Sequence, residues 1–219
     1  GETLLVFSVH EQSCDSNYNG FTYVNTMNAE ATARFIELTH DRYAQECVSR
    51  LGRSIPGIFT DEPHRGALMD PFGEGDISAR QAPWTDDLPE RFREAFGYDI
   101  TDHLPDIFLQ PEGRAVSPVK WNFVELLMRL FLERFAAPYA DWCRRHGIKV
   151  TGHVLHEDSL AAQTSMCGSV MRYYEHMDVP GIDLLTEGNR AYWVAKQLQS
   201  AAAQLGRTRL LSELYGCTG

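Results

Sequence analysis

The chain has 219 residues, 43% of them hydrophobic and 23% charged, which is the composition of a folded globular protein able to bury a sizeable core. Its net charge of −10 comes with no basic run, which argues against nucleic acid and against an anionic membrane surface as partners. The longest apolar stretches, such as 123–132, are interrupted by Glu125 and Arg129, so no segment reads as a bilayer span.

Taken in chain order, "TLLVFSV" (3–9) reads as a strand that follows residue 1 almost directly. No signal peptide precedes it, so the sequence is expected to open at an internal boundary. Residues 28–48 read as a helix with Asn28 as N-cap and Phe35, Ile36, Thr39, Tyr43 and Cys47 on one side. "GIFT" (57–60) is a second strand, followed by a Pro- and Gly-rich irregular passage. "PERFREAFGYD" (89–99) is a short helix that Gly97 terminates.

The strongest helical period runs over 119–146, where Trp121, Val124, Leu127, Met128, Phe131, Phe135, Tyr139 and Trp142 recur every three or four residues. Pro138 is expected to kink it. A third strand is expected at 148–154, partial helix at 159–176 and a fourth strand at 181–185. A helix at 189–205 and a fifth strand at 208–214 complete the pattern. The five cysteines (Cys14, Cys47, Cys143, Cys167, Cys217) are scattered, odd in number and without CxxC spacing, and read as buried free thiols.

Alternating strands and helices with short connections imply parallel strands returned by crossover helices. An open doubly wound sheet and a (β/α) barrel both satisfy this. No Gly-rich phosphate loop follows any strand, which weakens the first. Polar residues at the C-terminal end of strand after strand favour the barrel, whose sites are built there. The whole of 1–219 then reads as a single α/β unit, a piece of a (β/α)8 TIM-type barrel with about five strands and an irregular insertion at about 63–118.

Those polar ends are His10-Glu11-Gln12, Asp61-Glu62, His153 with His156-Glu157-Asp158, Asp183 with Glu187, and Ser212-Glu213 with Tyr215. A lone acid after a strand commonly caps a helix or sits in solvent. Acids at the same end of successive parallel strands converge on one face instead. Clustered carboxylates either cleave a glycosidic bond, one as acid and another as base or nucleophile, or bind a metal with histidine co-ligands. Glu62 is the candidate acid, since a strand holds its backbone and Pro63 is expected to keep it extended. Glu157 and Glu213 are its candidate partners. His153 and His156, three apart, face opposite ways if the strand reaches them, leaving one as a packed core histidine. Trp84, Tyr173, Tyr174 and Trp193 are candidates to stack on sugar rings.

The segments "YVNTMNAEATARFIELTHDRYAQ", "GIFTDEP", "WTDDLPERFREAFGYDITDHLP", "VTGHVLHED" and "LLSELYGCTG" together resemble glycosyl hydrolases of the α-L-rhamnosidase type, glycoside hydrolase family 106 and its relatives. The resemblance implies a (β/α)8 catalytic barrel inside a larger chain with β-sandwich domains, hydrolysis with inversion, and a calcium ion assisting sugar binding. It makes Glu62 the acid, and Glu157 and Glu213 the carboxylates that activate water. His10, Glu11, Asp61, His153, His156, Asp183 and Tyr215 are then expected to bind substrate, and no metal ligand is assigned. An extracellular or periplasmic parent protein is what such enzymes imply. A complete barrel takes about 250 residues and eight strands; five leave unclosed sheet edges, an invitation to self-association. Two other readings stay open. One is a metal-dependent sugar isomerase or amidohydrolase using His153 or His156 with Glu157, Asp183 and Glu213; the other is a non-catalytic carbohydrate-binding piece.

Overall fold

The computed structural model describes residues 4–66, 81–109, 116–185, 192–214 and 216. At its centre lie four parallel strands in sequential order: β1 (Gly57–Thr60), β2 (Lys149–Gly152), β3 (Val179–Leu184) and β4 (Leu211–Leu214). The sheet curls as half of a barrel would. Helices make every return. Between β1 and β2 run α3 (Leu88–Phe96), α4 (Leu104–Phe108), α5 (Pro118–Phe131) and α6 (Ala137–Arg145). Between β2 and β3 lie α7 (Leu160–Met166) and α8 (Val170–Tyr174), and α9 (Tyr192–Gln204) precedes β4. Ahead of the sheet come α1 (Ala29–Phe35) and α2 (Asp41–Glu46).

The expected first strand is not there. Residues 4–10 have no regular structure, and Leu4, Val6 and Val9 are strongly exposed. A β-prone apolar run becomes a strand only where a neighbour completes its ladder, and no strand pairs with it among the described residues. The described sheet therefore has four strands, not five. The stretch expected as an irregular insertion at 63–118 is partly ordered, since α3 and α4 lie within it. Gly97 ends α3 as anticipated, in the left-handed region with its N–H on the Arg93 carbonyl at 2.8 Å.

The long helix holds, but Pro138 enters it differently from the kink expected. A π turn at Leu132–Ala136 separates α5 from α6, and Pro138 falls in the first turn of α6. Widening the turn just before the ring relieves the clash of proline with the preceding carbonyls. A second π turn, Ile36–His40, joins α1 to α2. Asn28 caps α1 by accepting the N–H groups of Glu30 and Ala31.

Phe123, Leu127, Phe131, Phe135, Tyr139 and Trp142 form the core against Val150 and Ile182 of the sheet. Trp121, expected on that stripe, is 69% exposed. Of the described cysteines, Cys143 and Cys167 are buried thiols, Cys47 is half-buried and Cys14 is exposed, so burial holds for only two. None of the described helices is long and apolar enough to cross a membrane.

One glycine fixes how closely β1 and β2 approach. Gly152 has φ +130°, and a Cβ there would lie 2.0 Å from the Thr60 carbonyl oxygen. The next residue, His153, continues the pairing by donating its N–H to that same oxygen at 3.3 Å. The end of β2 is thus pinned beside the end of β1, where the acids follow.

Candidate active site

Each strand delivers a polar group to the same end of the sheet. β1 ends at Thr60 and leads into Asp61 and Glu62; β2 leads into His153 and, after a short turn, Glu157. Asp183 lies within β3 and Glu213 within β4, directly opposite each other in register.

His153 is the hub. Its side chain is 1% exposed, and its Nε2 lies 2.9 Å from Glu213 Oε2 and 3.3 Å from Asp61 Oδ1. One ligand atom each from Glu62, His153 and Asp183 also fall within 4.8 Å of one another. Burial works against charge on the imidazole. The Glu213 hydrogen bond and the charges of Glu157, Asp183 and Asp61 outweigh it, so its pKa is raised. His153 is therefore an imidazole whose carboxylate neighbours favour its charged form.

Glu62 stands at the edge of a cavity of about 230 Å³ that His156, Glu157, Asp158, Asp183 and Leu185 also line. Desolvation there raises the pKa of its carboxyl; Asp61 and Asp183 push the same way, and His153 and His156 push back. Asp183 is raised too, by burial and then by the charges of Glu213, Asp61 and Asp158, against His153. Its Oδ1 is buried without a hydrogen-bond partner, as is His153 Nδ1.

Glu157 is different in kind. It is buried, and one carboxylate oxygen accepts the Asp183 N–H at 2.8 Å while the other lies 3.5 Å from the Tyr174 hydroxyl. Burial pushes its pKa up to about 7, against the lowering effects of the Asp183 N–H and of His153. With both oxygens engaged inside the protein, Glu157 ties the end of β2 to β3.

Two residues of this cavity carry backbone strain. Glu62 has φ +47° and His156 φ +61°, both in the left-handed region that non-glycine residues seldom occupy. The expectation that Pro63 keeps Glu62 extended is overturned here. The chain must turn sharply after β1 to bury His64 and Arg65, and Glu62 takes the turn.

The other sequence candidates are placed as follows. His10 and Glu11 lie on the exposed leading segment, with His10 Nε2 2.6 Å from Ser8 Oγ. His156 lines the cavity, while His153 is the buried one of the pair. Tyr215 and Glu187 fall outside the described residues. Tyr173 and Tyr174 are buried in the core, so neither offers a face to sugar. Trp84 is half-buried. Trp193 donates its indole N–H to the Asp158 carbonyl at 3.2 Å, beside the cavity.

Sequence reasoning passed over Tyr18 and Tyr23, which stack toward His64. The Asn19-Gly20 turn signal between aromatics in "NYNGFTY" was the available clue.

The donor set also bears on metals. Among the described residues, the two His, Cys, Asp and Glu groups that could hold an ion, Asp61–His153–Glu213 and Glu62–His153–Asp183, both include an imidazole nitrogen. Calcium takes six to eight oxygens, whereas mixed imidazole and carboxylate donors suit a borderline metal such as zinc or manganese. The described residues thus do not fit the calcium ion that the resemblance implies.

No family model matches the chain, and no curated protein sequence does. Among solved structures, a rhamnosidase from Novosphingobium sp. PP1Y is similar in fold, with a TM-score of 0.62 and 21% sequence identity. The match covers 87% of this chain and 17% of that one, so the chain spans a small part of the neighbour's length. At that identity the likeness is one of fold. It does not single out glycoside hydrolase family 106.

Proposed function

We propose that this chain carries the acid and base carboxylates of a glycoside hydrolase of the family 106 type, acting on an α-L-rhamnoside-like substrate with inversion. The observation that carries the reading is the division of labour among the carboxylates. Glu62 has a raised pKa at the cavity edge, and Glu213, half-exposed, is hydrogen-bonded to the His153 imidazole. A raised pKa lets a carboxyl hold its proton to higher pH, which is the direction a general acid requires.

In this mechanism Glu62 gives its proton to the departing glycosidic oxygen. Glu213 takes a proton from the attacking water, and His153 orients Glu213 through the 2.9 Å hydrogen bond. Glu157 holds the β2 and β3 ends in place. Asp183 is too close to Glu62 to be the base of an inverting pair, since inversion separates the two carboxyl groups by about 6.5–9.5 Å. Asp183, Asp61 and His156 are left to meet sugar hydroxyls, and further domains of a longer chain would close the site.

The test is hydrolysis of a panel of aryl glycosides led by the α-L-rhamnoside, with the anomer of the first-formed sugar read by NMR. Loss of turnover in both Glu62→Gln and Glu213→Gln, by 100-fold or more in kcat on the order expected for acid–base groups, supports the assignment. Retention of the starting anomer would sink inversion, and full activity in Glu213→Gln would return the base role to Glu157.

The grouping of His153 with acid pairs favours one second reading, a metal-dependent barrel enzyme using a borderline metal. Stoichiometric zinc or manganese, with activity lost to chelator and restored by the metal, would decide for it.

A further inference from the structure

The acid ring leaves unexplained a stack of rings built against the turn that carries Glu62. Tyr18 packs on Tyr23 with ring centroids 5.2 Å apart, and Tyr23 lies flat on His64 at 3.8 Å and 12°. His64, only two residues beyond Glu62, is 4% exposed. Tyr18, the outermost ring, is half-buried.

The stack is held rigidly. The Asp15 side chain accepts the Asn17 N–H, and an Asp15–Phe21 bridge closes the loop around the left-handed Asn19. Thr26 Oγ1 donates to the His64 carbonyl at 2.7 Å, and the His64 N–H donates to the Tyr23 hydroxyl at 3.2 Å. His64 Nδ1 lies 2.9 Å from the Gly66 carbonyl and also accepts the Gly66 N–H at 3.1 Å, so the Gly66 backbone holds that edge of the ring. Nε2, on the opposite side of the ring, lies 3.5 Å from the Tyr18 hydroxyl. Burial holds the His64 pKa down to about 4, so the ring is neutral and stacks as an aromatic. Burial, then the charges of Asp15 and Glu62, raise the pKa of the Tyr18 phenol, whose ring is joined to the Glu62 turn through the His64 contact.

None of these three residues has a role in the proton transfers. Their position gives them another one. A general acid protonates the oxygen that departs, so the group joined to that oxygen lies on the acid's side. Glu62 and His64, on which the two tyrosines stack, directly follow β1 at one end of the row of strands, and Glu213 lies in β4 at the other. We propose that Tyr18, backed by Tyr23 and His64, is the platform of the leaving-group subsite and takes a ring with an apolar face, a sugar or an aryl group. The inference rests on the hydrolase reading. Aromatic rings suit such a surface because they offer a large rigid apolar face at little conformational cost.

The test is equilibrium binding of two probes, 4-nitrophenyl α-L-rhamnoside and methyl α-L-rhamnoside, by calorimetry on the chain and on Tyr18→Ala, Tyr18→Leu and Tyr18→Phe. The unsubstituted chain should bind the aryl glycoside about three- to tenfold more tightly, the range of one aromatic stack. Tyr18→Ala and Tyr18→Leu should bring the ratio near unity while leaving methyl glycoside affinity in place, and Tyr18→Phe should preserve the ratio. A preference that survives in Tyr18→Leu, or equal weakening of both probes, overturns the platform. Turnover is read in parallel on the unsubstituted chain. A binding preference with no turnover of either glycoside, in this chain and in the longer chain whose further domains close the site, removes the hydrolase reading, and the leaving-group role with it.

Discussion

Replacing Glu157 by Gln should make the protein more stable at alkaline pH and change its stability little at acid pH. The carboxyl is buried, and its pKa moves from 4.5 to about 7 on folding. A raised folded-state value means that the native state binds the proton more tightly than the unfolded chain does. The associated stability is complete below pH 4.5 and is lost as pH rises through about 7. At about 1.4 kcal/mol per pH unit, the loss for this one group is about 3 kcal/mol. Gln mimics the protonated acid and cannot ionise. Its single acceptor can keep the Asp183 N–H, and loss of a second hydrogen bond costs about 1 kcal/mol independently of pH. Urea denaturation of both proteins at intervals from pH 4 to 8.5 isolates the pH-dependent part. The variant should gain on the parent by about 3 kcal/mol between pH 4.5 and 8, less whatever His153 and Asp183 absorb by titrating with it. A difference that is flat with pH would refute the account of Glu157 as a buried, proton-holding tie. So would one that grows toward acid.

Three further outcomes follow from the same geometry. Asp183→Asn removes a charge that raises the Glu62 pKa, so the alkaline limb of the kcat/KM profile should move to lower pH; an unmoved limb would detach that limb from Glu62. Gly152→Ala forces a Cβ to within 2.0 Å of the Thr60 carbonyl at φ +130°, and should cost about 3–5 kcal/mol in thermal or urea unfolding. Asn28→Ala strips the cap that accepts two N–H groups from α1 and should cost about 1 kcal/mol by the same assay, with no effect on turnover.

Much of the fold was legible because periodicity and punctuation agree where the chain is locally self-consistent. The apolar stripe of α5 and α6, the Asn28 cap and the Gly97 stop each follow from neighbours within a few residues. The leading run at 3–9 shows the limit. Its residues favour a strand, yet a strand is a property of a pair, and pairing partners cannot be read from the run itself. Trp121 fails for a related reason. The helical period gives the apolar stripe its width, while what packs along the rim is decided by other elements.

The site divides the same way. Convergence of Glu62, His153, Asp183 and Glu213 was legible, because parallel strands delivering polar residues at one end leave them nowhere else to go. Their unequal roles were not. Glu157 and Glu213 look alike in the sequence, each an acid near a strand end. One is buried on the Asp183 N–H and the other half-exposed on the His153 imidazole, and only the curl of the sheet decides which. The strained turn at Glu62 was hidden by its own cue. Pro63 predicts an extended neighbour when the chain is free to run straight, but burial of His64 and Arg65 requires a corner, and the corner falls on Glu62. The same turn sets His64 under the Tyr18 stack. Strain at Glu62 is thereby coupled to the ring platform, so acid and stacking surface are positioned by one piece of backbone.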